Sequence, residues 1–401
     1  MRVGIVTTWF ERGAAYVTLQ YARKLEAANI EVFIYARGGY DENFNNDYPI
    51  EIDEGHNLIV RSALNIKQYE NWLKSSQISH VLFNEQFWWQ PVILTKKMEI
   101  KCLAYIDYYT KDTVPIFAIY DKLFCNTRRH YSAFEDLDNA IYLPWGTDVE
   151  LYSPRDRNIN SDEVVFFHSV GWSPMRKGTD LLLKAASMID KDFKLILHSQ
   201  IDLLNALPEC KGLIIKLLDS GRLELINKTV EAPGLYYLGD VYVYPSRLEG
   251  IGLSIAEALS CGLPAIVPDN GPMNEFIHNS TCKTIIVKEF EVRDDNYFWP
   301  MCIIDIEDLA LKMEYFIDKK VCLNELSRIT RKHAEKNLNW EINAKILVDQ
   351  FKSTEYKMLN DTVLEHAKMS DVCIMKYGFI YSFSPKVYSF LVKLYKKVVS
   401  R

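Results

Sequence analysis

Residues 246–264 read SRLEGIGLSIAEALSCGLP and place two glutamates, Glu249 and Glu257, on either side of a Gly-x-Gly. The apolar run VYVYP before Ser246 predicts a buried strand, and a helix is predicted over about 254–260. The turn between them, at 250–253, therefore leaves backbone N–H groups exposed at a helix N-terminus, which favours a bound anion such as a phosphate. Its glycines let that anion approach the backbone closely.

The two carboxylates that bracket this turn allow two interpretations. In the first, Glu257 accepts two adjacent hydroxyls such as those of a ribose, and Glu249 contacts another part of the same ligand. In the second, Glu257 only complements the positive end of the helix dipole and Glu249 is solvated. Local geometry leaves both interpretations open.

The same alternation of strand and helix continues on both sides of this segment. After a turn-rich stretch at 144–154, a helix is predicted at 178–189 and strands at 163–172, 193–200, 240–246 and 264–269. Before that stretch, a helix is predicted at 14–28 and strands at 3–8, 30–37, 80–85, 101–107 and 121–127. Buried strands that alternate with helices are typical of a parallel, doubly wound sheet. The sequence therefore predicts an α/β protein with two such sheets in succession.

Composition limits the class of protein. The chain has 401 residues, 48% hydrophobic and 25% charged, which fits a globular protein of about two domains. Its formal net charge of −6 argues against a general nucleic-acid binder, which needs clustered positive charge. The eight cysteines form no C-x-x-C pair, so we expect reduced thiols in a cytoplasmic protein, without a zinc or redox site. No apolar run approaches the roughly 18 residues of a transmembrane helix.

Residues 242–277, YVYPSRLEGIGLSIAEALSCGLPAIVPDNGPMNEFI, closely resemble the donor-binding motif of retaining glycosyltransferases of family 4, which have the GT-B fold. The segments 121–134, 142–154 and 170–185 resemble other parts of that family's sequence. The resemblance runs over about 1–345 and is weakest between about 30 and 100, where an acceptor would be recognised. The family motif, EGxGLxxxEAxxxG, is matched by Glu249, Gly250, Gly252, Leu253, Glu257, Ala258 and Gly262.

The resemblance implies a GT-B architecture, in which two Rossmann-like domains face a central cleft. Residues 1–147 would form the N-terminal acceptor domain, and 148–345 the donor domain, which binds a nucleotide sugar. Residues 346–401 would form helices that can pack back on the N-terminal domain. The last of them, at 386–401, is predicted to be basic and amphipathic, and either lies on an anionic membrane surface or packs on the protein body.

The resemblance also implies roles for individual residues. Glu257 would hold the ribose hydroxyls of the donor, and Glu249 would contact the transferred sugar near the reacting centre. Lys177 would neutralise the β-phosphate of the leaving group, and Gly13 would allow the same diphosphate to approach the first βα loop. The backbone that meets the diphosphate or sugar would be that of Gly250, Ile251, Gly252, Leu253 and Ser254.

Two departures from the family pattern affect these assignments. Trp172 stands where the family usually has an arginine, so Arg176 is the natural substitute for binding phosphate, the alternative being a solvated surface charge. The family's first-domain histidine has no counterpart, and the corresponding segment, AYIDYYT, offers Asp107 for the donor sugar, the acceptor or a structural role. Trp88 and Trp89 are candidates for stacking on an acceptor glycan, although core packing explains them equally well.

These features together predict a retaining glycosyltransferase of surface polysaccharide or glycoconjugate synthesis. It would move a hexose from a UDP- or GDP-sugar to a glycan or lipid-linked glycan, without a metal or other cofactor. The one D-x-D match, at 136–138, is interpreted as a surface loop. We expect a cytoplasmic location, peripheral on the plasma membrane if the 386–401 helix binds lipid. The alternatives are an inactive nucleotide-sugar-binding partner subunit, or an epimerase or phosphorylase of the same fold.

Overall fold

The computed structural model describes residues 1–11, 13–54, 62–155 and 163–374, together with Val387. Apart from Val387, the helix predicted at 386–401 therefore lies outside the described residues. The chain divides into two compact units. The first comprises 1–126, 130–143 and 344–401, and the second comprises 127–129 and 144–343.

The first unit is built on a parallel sheet. Its strands lie in the order β3-β2-β1-β4-β5-β6-β7, so the strand order reverses beside β1. The described chain up to residue 143 forms β1 (Arg2–Trp9), α1 (Gly13–Ala27), β2 (Glu31–Tyr40), β3 (Ile50–Ile52), α2 (Ile66–Ser75), β4 (His80–Asn84), α3 (Gln90–Lys97), β5 (Lys101–Tyr105), β6 (Lys122–Cys125), α4 (Arg128–Ser132) and β7 (Ala140–Tyr142).

The central strands of this sheet are buried on both faces, which explains their nearly continuous apolar sequences. In β1, residues 3–9 are all buried, and in β4 all five residues are. The rings of Tyr35, Tyr69 and Trp72 pack against one another beside the sheet, with centroids 5.1–5.8 Å apart. Aromatic packing of this kind anchors α2 to the sheet.

The second unit is also built on a parallel sheet, with the strand order β10-β9-β8-β11-β12-β13, and it carries a two-stranded antiparallel ribbon, β14-β15. Its elements are β8 (Val164–Gly171), α5 (Thr179–Met188), β9 (Phe193–Ser199), α6 (Leu203–Ala206), α7 (Lys211–Asp219), β10 (Leu223–Asn227), β11 (Val241–Val243), α8 (Leu253–Ser260), β12 (Ala265–Pro268), β13 (Lys283–Ile285), β14 (Val287–Glu291), β15 (Met301–Ile304), α9 (Ile306–Asp318), α10 (Leu323–Asn337) and α11 (Trp340–Asn343).

The two parallel sheets confirm the predicted fold class of two doubly wound, Rossmann-like α/β units. In the second unit the order reverses between β8 and β11, which are hydrogen-bonded neighbours. Ligands of such sheets bind at the carboxyl ends of the strands where the order reverses. A ligand of the second unit is therefore expected to bind at the loops that follow β8 and β11.

The C-terminal helices α12 (Lys345–Lys352) and α13 (Asp361–Ile374) belong to the first unit. The segment between them is fixed by a buried ion pair, in which Lys96 Nζ lies 2.6 Å from Asp121 Oδ1. Lys96 Nζ also donates to the carbonyl of Lys357 at 2.5 Å, and the N–H of Lys357 donates to Asp121 at 2.7 Å. On α13, Asp371 accepts the N–H of Trp89 at 2.9 Å.

Among the described residues, no helix is both long and apolar enough to cross a membrane.

Candidate functional site

The carboxylate of Glu249, in the loop after β11, is the centre of a buried polar cluster in the second unit. Its Oε1 accepts hydrogen bonds from Ser246 Oγ at 2.6 Å and from Tyr244 Oη at 3.0 Å. The same oxygen lies 2.8 Å from Lys177 Nζ and 2.9 Å from Arg176 Nη1. One oxygen thus binds two cations and two hydroxyls, which fixes the Arg176–Lys177 segment against the loop after β11.

The electrostatics of this cluster leave an excess of positive charge. Burial disfavours the ionised form of Glu249, but the charges of Arg176 and Lys177 and the donated hydrogen bonds outweigh burial and lower its pKa to about 2. Burial lowers the pKa of Lys177 to about 8, against the attraction of Glu249. At neutral pH one carboxylate therefore faces two cations, and the sum of one negative and two positive charges is +1.

The phenol of Tyr244 connects this cluster to the first turn of α8. Burial raises the pKa of Tyr244 far above its usual range, so the phenol stays neutral and has a single proton to donate. Because Lys177 Nζ can only donate, Tyr244 accepts from Lys177 and donates to Glu249. The side chain of Ser254, on the first turn of α8, lies near the Tyr244 phenol and acts to lower its pKa, against burial. Lys177 is therefore hydrogen-bonded to a phenol that lies beside the first turn of α8.

The N-terminus of α8 is open to a ligand. Its N-cap residue, Gly252, has a φ of 89°, in the left-handed region that favours glycine, and no side chain caps the helix. The first amides of a helix have no acceptor within it, so those of Leu253 and Ser254 are available to an anion. Ile251 is buried, whereas Leu253 and Ser254 are partly exposed.

Glu257 lies one turn further along α8, beside the side chains of Tyr236 and Tyr152. Its Oε2 accepts a hydrogen bond from Tyr236 Oη at 2.5 Å, and Tyr152 also forms a hydrogen bond with this carboxylate. Burial raises the pKa of Glu257 in spite of these bonds. The carboxylate is thus held in place by phenols and remains partly exposed.

Two backbone features position the Arg176–Lys177 segment. Gly178 has a φ of 69°, and a Cβ at this position would collide with the carbonyl oxygen of Pro245, so a side chain there would push the two loops apart. The N–H of Arg247 donates to the carbonyl of Arg176 at 2.8 Å. The guanidinium of Arg247 forms a bidentate pair with Asp180 on α5, with both N–O distances at 2.7 Å.

The residues predicted for the acceptor and for the first βα loop lie in the first unit. Gly13 is the exposed first residue of α1, and Asp107 is partly buried just after β5. The side chains of Trp88 and Trp89 are only 1% and 2% exposed, so neither indole has an open face on which a sugar could stack. Of the two interpretations of these tryptophans, the structure favours core packing.

The described part of the first unit has a different accessible feature, an open cleft of about 600 Å³. It lies where β1 and β2 end, and Phe10 is one of the residues that line it. Asp41, Glu42 and Asn43 are also among the residues that line it. An aromatic ring beside polar side chains is an arrangement that suits a polyhydroxylated ligand.

Several residues of the site were not predicted from the sequence. Tyr244, Ser246 and Arg247 stand within or beside the quoted segment, but only the fold shows that they contact Glu249 or the segment around Lys177. Asp180 and Tyr236 lie on other elements, and no sequence pattern around them indicates a role in the site. His168, by contrast, is a core residue: it is fully buried, burial lowers its pKa to about 4, and both ring nitrogens are hydrogen-bonded, to Val243 O and Thr179 Oγ1.

Comparisons with known proteins match part of the second unit to a family model and most of the chain to solved structures of the same fold. Residues 162–294 match the family model described as glycosyl transferases group 1, and this range includes every residue of the cluster around Glu249. The solved structure of the Anabaena protein HepE in complex with UDP and glucose has 14% sequence identity and a TM-score of 0.67, and the match covers 88% of this chain and 100% of that one. The chain thus has the GT-B fold.

Two further relatives match over a smaller part of the chain. The Bacillus subtilis glycosyltransferase-like protein EpsF is 28% identical over 142 residues, which cover 32% of this chain and 35% of EpsF. A GDP-mannose-dependent mannosyltransferase of Corynebacterium glutamicum, which acts on a monoacylated phosphatidylinositol monomannoside, is 24% identical over 272 residues, covering 61% of this chain and 60% of the enzyme. The chain therefore matches less than two thirds of the length of either relative.

Proposed function

We propose that the protein is a glycosyltransferase of the group 1 type that uses a nucleotide-diphosphate sugar as donor. The observation that carries the proposal is the cluster in which Arg176 and Lys177 are held on Glu249, with Lys177 bonded to Tyr244 beside the open N-terminus of α8. Two cations and a set of free backbone amides are what a diphosphate needs for tight binding. The match of residues 162–294 to the glycosyl transferases group 1 model supports the same conclusion.

In this proposal each part of the site binds one part of the donor. The diphosphate lies against Lys177, Arg176 and the amides of residues 251–254. Glu257 accepts the ribose hydroxyls, for which its partly exposed carboxylate is suited. Glu249 holds the two cations through Oε1, and its second oxygen is left to contact the transferred sugar. The base is uracil or guanine, because HepE was crystallised with UDP and the Corynebacterium relative depends on GDP-mannose.

We further propose that transfer retains the anomeric configuration and needs no metal ion. The bond between the sugar C1 and the β-phosphate oxygen breaks, and the acceptor oxygen bonds to C1 on the same face. The acceptor's proton passes to the departing phosphate oxygen, so a carboxylate nucleophile is not required. In this proposal Glu249 instead positions Arg176 and Lys177 through the two ion pairs of its Oε1. Arg176, Lys177 and the α8 amides stabilise the charge that develops on the leaving diphosphate.

For the acceptor we propose a glycan or a lipid-linked glycan. The cleft beside Phe10 is the candidate site for it, in place of Trp88 and Trp89, and its acidic side chains favour a neutral sugar over an anionic one. Asp107 remains a candidate contact. A lipid-linked acceptor would agree with the predicted basic helix at 386–401 and with a location on the inner face of the plasma membrane.

A thermal-shift panel of UDP, GDP, ADP and their sugars tests the donor site. We expect a uridine or guanosine diphosphate to raise the melting temperature, and Glu257→Ala to weaken that nucleotide's affinity by at least tenfold, since about 1.5–3 kcal/mol is lost with a hydrogen bond to a charged group. Glu325→Ala, which removes an exposed glutamate of α10, serves as the matched control. An unchanged shift in the Glu257 variant would contradict the ribose assignment.

Product analysis with a labelled donor tests the reaction. We expect the label to move to a neutral glycan acceptor, and NMR of the product to show the same anomeric configuration as the donor. An inverted product would contradict the proposed mechanism. Interconversion of the donor sugar without an acceptor would instead indicate an epimerase, and binding without any turnover would indicate an inactive subunit.

A further inference from the structure

Trp172 is the most exposed large aromatic side chain among the described residues, with 72% of its surface accessible. Six of the other seven tryptophans are at most 5% exposed, namely Trp9, Trp72, Trp88, Trp89, Trp145 and Trp340. The remaining one, Trp299, lies against the guanidinium of Arg129. In the part of the chain that the structure describes, no ring or cation packs on Trp172, so its indole face is open to a ligand.

The residue that carries this open face lies at the edge of the candidate donor site. Trp172 directly follows β8, at the carboxyl end of the strand where the order of the sheet reverses. The next residue, Ser173, accepts through its carbonyl the N–H of Lys177 at 3.0 Å, which closes the loop that carries both cations. Since neighbouring Cα atoms are about 3.8 Å apart, Trp172 is one residue from the hydrogen-bonded base of this loop.

The chemistry of an indole differs from that of the arginine that the family resemblance places here. An indole adds no positive charge to a diphosphate, but it offers a flat apolar face and one N–H donor. The apolar C–H face of a hexose packs well on such a surface, while the hexose hydroxyls remain free to bind polar groups. Lys177 and Arg176 already supply the charge for the diphosphate, so the position of Trp172 beside them is available for the sugar.

We propose that Trp172 is the stacking platform for the transferred hexose ring and thereby helps to select the donor sugar. The inference rests on the proposed function, because it assumes that a nucleotide sugar binds at Lys177 and Arg176. The hexose is favoured over the nucleobase because Trp172 lies on the loop of Lys177, whereas Glu257, the ribose residue, lies on α8 among Tyr236 and Tyr152. In a nucleotide sugar the base is attached to the ribose, which would lie at Glu257. The hexose is attached to the β-phosphate, which would lie at Lys177 and therefore near Trp172.

Acrylamide quenching of tryptophan fluorescence tests this placement without depending on activity. In the full-length protein, the difference between wild type and Trp172→Phe identifies the emission of Trp172, which we expect to be the most quenchable component. UDP-glucose or GDP-mannose should lower the quenching constant of that component at least threefold. The matching nucleoside diphosphate alone should leave it nearly unchanged. Equal protection by the diphosphate alone would overturn the assignment to the sugar.

Affinity measurements give a second, independent readout. We expect Trp172→Ala to weaken binding of the nucleotide sugar about tenfold and to leave binding of the nucleoside diphosphate unchanged, while Trp172→Phe retains most of the affinity. Met175→Ala, which truncates an exposed apolar side chain of the same loop, is the matched control. An equal loss for diphosphate and sugar nucleotide would indicate a structural role and overturn the proposal.

The two hypotheses fail in different ways. If no nucleotide sugar raises the melting temperature, the proposed function is contradicted, and the inference with it. If a nucleotide sugar does bind but Trp172 stays fully quenchable, the inference alone is contradicted and the donor site stands.

Discussion

Replacing Lys177 with methionine is expected to lower kcat/KM for the nucleotide-sugar donor by about 10³-fold, the loss typical of removing one donor that stabilises a developing oxyanion. The ammonium is partly buried, with 15% of its side chain exposed, so its charge acts in a medium less polar than water. Methionine keeps most of the length of the side chain and removes the charge. Steady-state kinetics with the donor found in the thermal-shift panel would measure the effect.

The same substitution is expected to leave the fold as stable as before, or more so. Burial holds the pKa of Lys177 at about 8, below the usual value of 10.5, so folding at neutral pH works against the charged form. Because its pKa is lower in the folded state, charged Lys177 lowers the free energy of unfolding at pH values below about 8. This destabilisation decreases as the pH rises from about 8 to the usual value of 10.5. Lys177→Met removes the cost at every pH, and Glu249 keeps its pairing with Arg176. A large loss of activity without a loss of stability would distinguish a catalytic role from a structural one.

The pH dependence provides an internal control for the Lys177 assignment. The diphosphate binds the protonated amine, so donor affinity of the wild type should fall as the pH rises through about 8, whereas that of Lys177→Met should be low and flat. Lys184→Met, at an exposed position of α5, should change neither the rate nor the profile. Unchanged kcat/KM in Lys177→Met would exclude Lys177 from the site.

The fold was accessible from the sequence because its central strands are buried on both faces. Runs such as VGIVTT and VVFFH are apolar in nearly every position, and the predicted strands at 3–8 and 163–172 correspond closely to β1 and β8. The short edge strands β3 and β7, and the ribbon β14-β15, were not predicted. They are only three to five residues long, and even the apolar ones, β7 (AIY) and β15 (MCII), are too short to be recognised as strands from their pattern.

Local spacing predicted one part of the candidate site, and the family resemblance supplied the rest. The two glutamates and the Gly-x-Gly turn lie within one strand–turn–helix unit, so their spacing alone placed them near one helix N-terminus. The two cationic partners of Glu249, Arg176 and Lys177, come from a segment about 70 residues earlier, and no local pattern links them to it. Trp88 and Trp89 have a clear local pattern whose meaning is ambiguous. Two adjacent tryptophans look the same in a sequence whether they pack in a core or line a binding surface.

The bidentate pair between Asp180 and Arg247 shows how a site depends on residues that touch no ligand. Both side chains are at most 10% exposed, so each charge relies on the other. Arg247 is two residues from Glu249, and its N–H binds the carbonyl of Arg176. The pair therefore fixes the loop of Glu249 to the start of α5 and to the segment of both cations. Its loss should affect the stability of the second unit and the donor site together.

Asp180→Ala is expected to destabilise the second unit by about 3–5 kcal/mol, because it leaves the guanidinium of Arg247 buried without a counter-charge. For a unit of this size, that corresponds to a fall in melting temperature of about 10 °C. Differential scanning calorimetry would measure it, with Asp190→Ala, at an exposed position near the end of α5, as the matched control. Donor affinity should also fall, although Asp180 contacts Arg247 and not the proposed ligand.

The double variant Asp180→Leu/Arg247→Met separates the two consequences of breaking this pair. Replacing both buried charges with apolar side chains removes the uncompensated charge, so stability should recover to within about 1–2 kcal/mol of the wild type. The N–H of residue 247 can still bind the carbonyl of Arg176, and donor affinity should recover in part. If Asp180→Ala melts at the temperature of Asp190→Ala, the pair does not support the loop of Glu249. If the double variant recovers stability but binds the donor no better than Asp180→Ala, the geometry of the site depends on the bidentate pair itself.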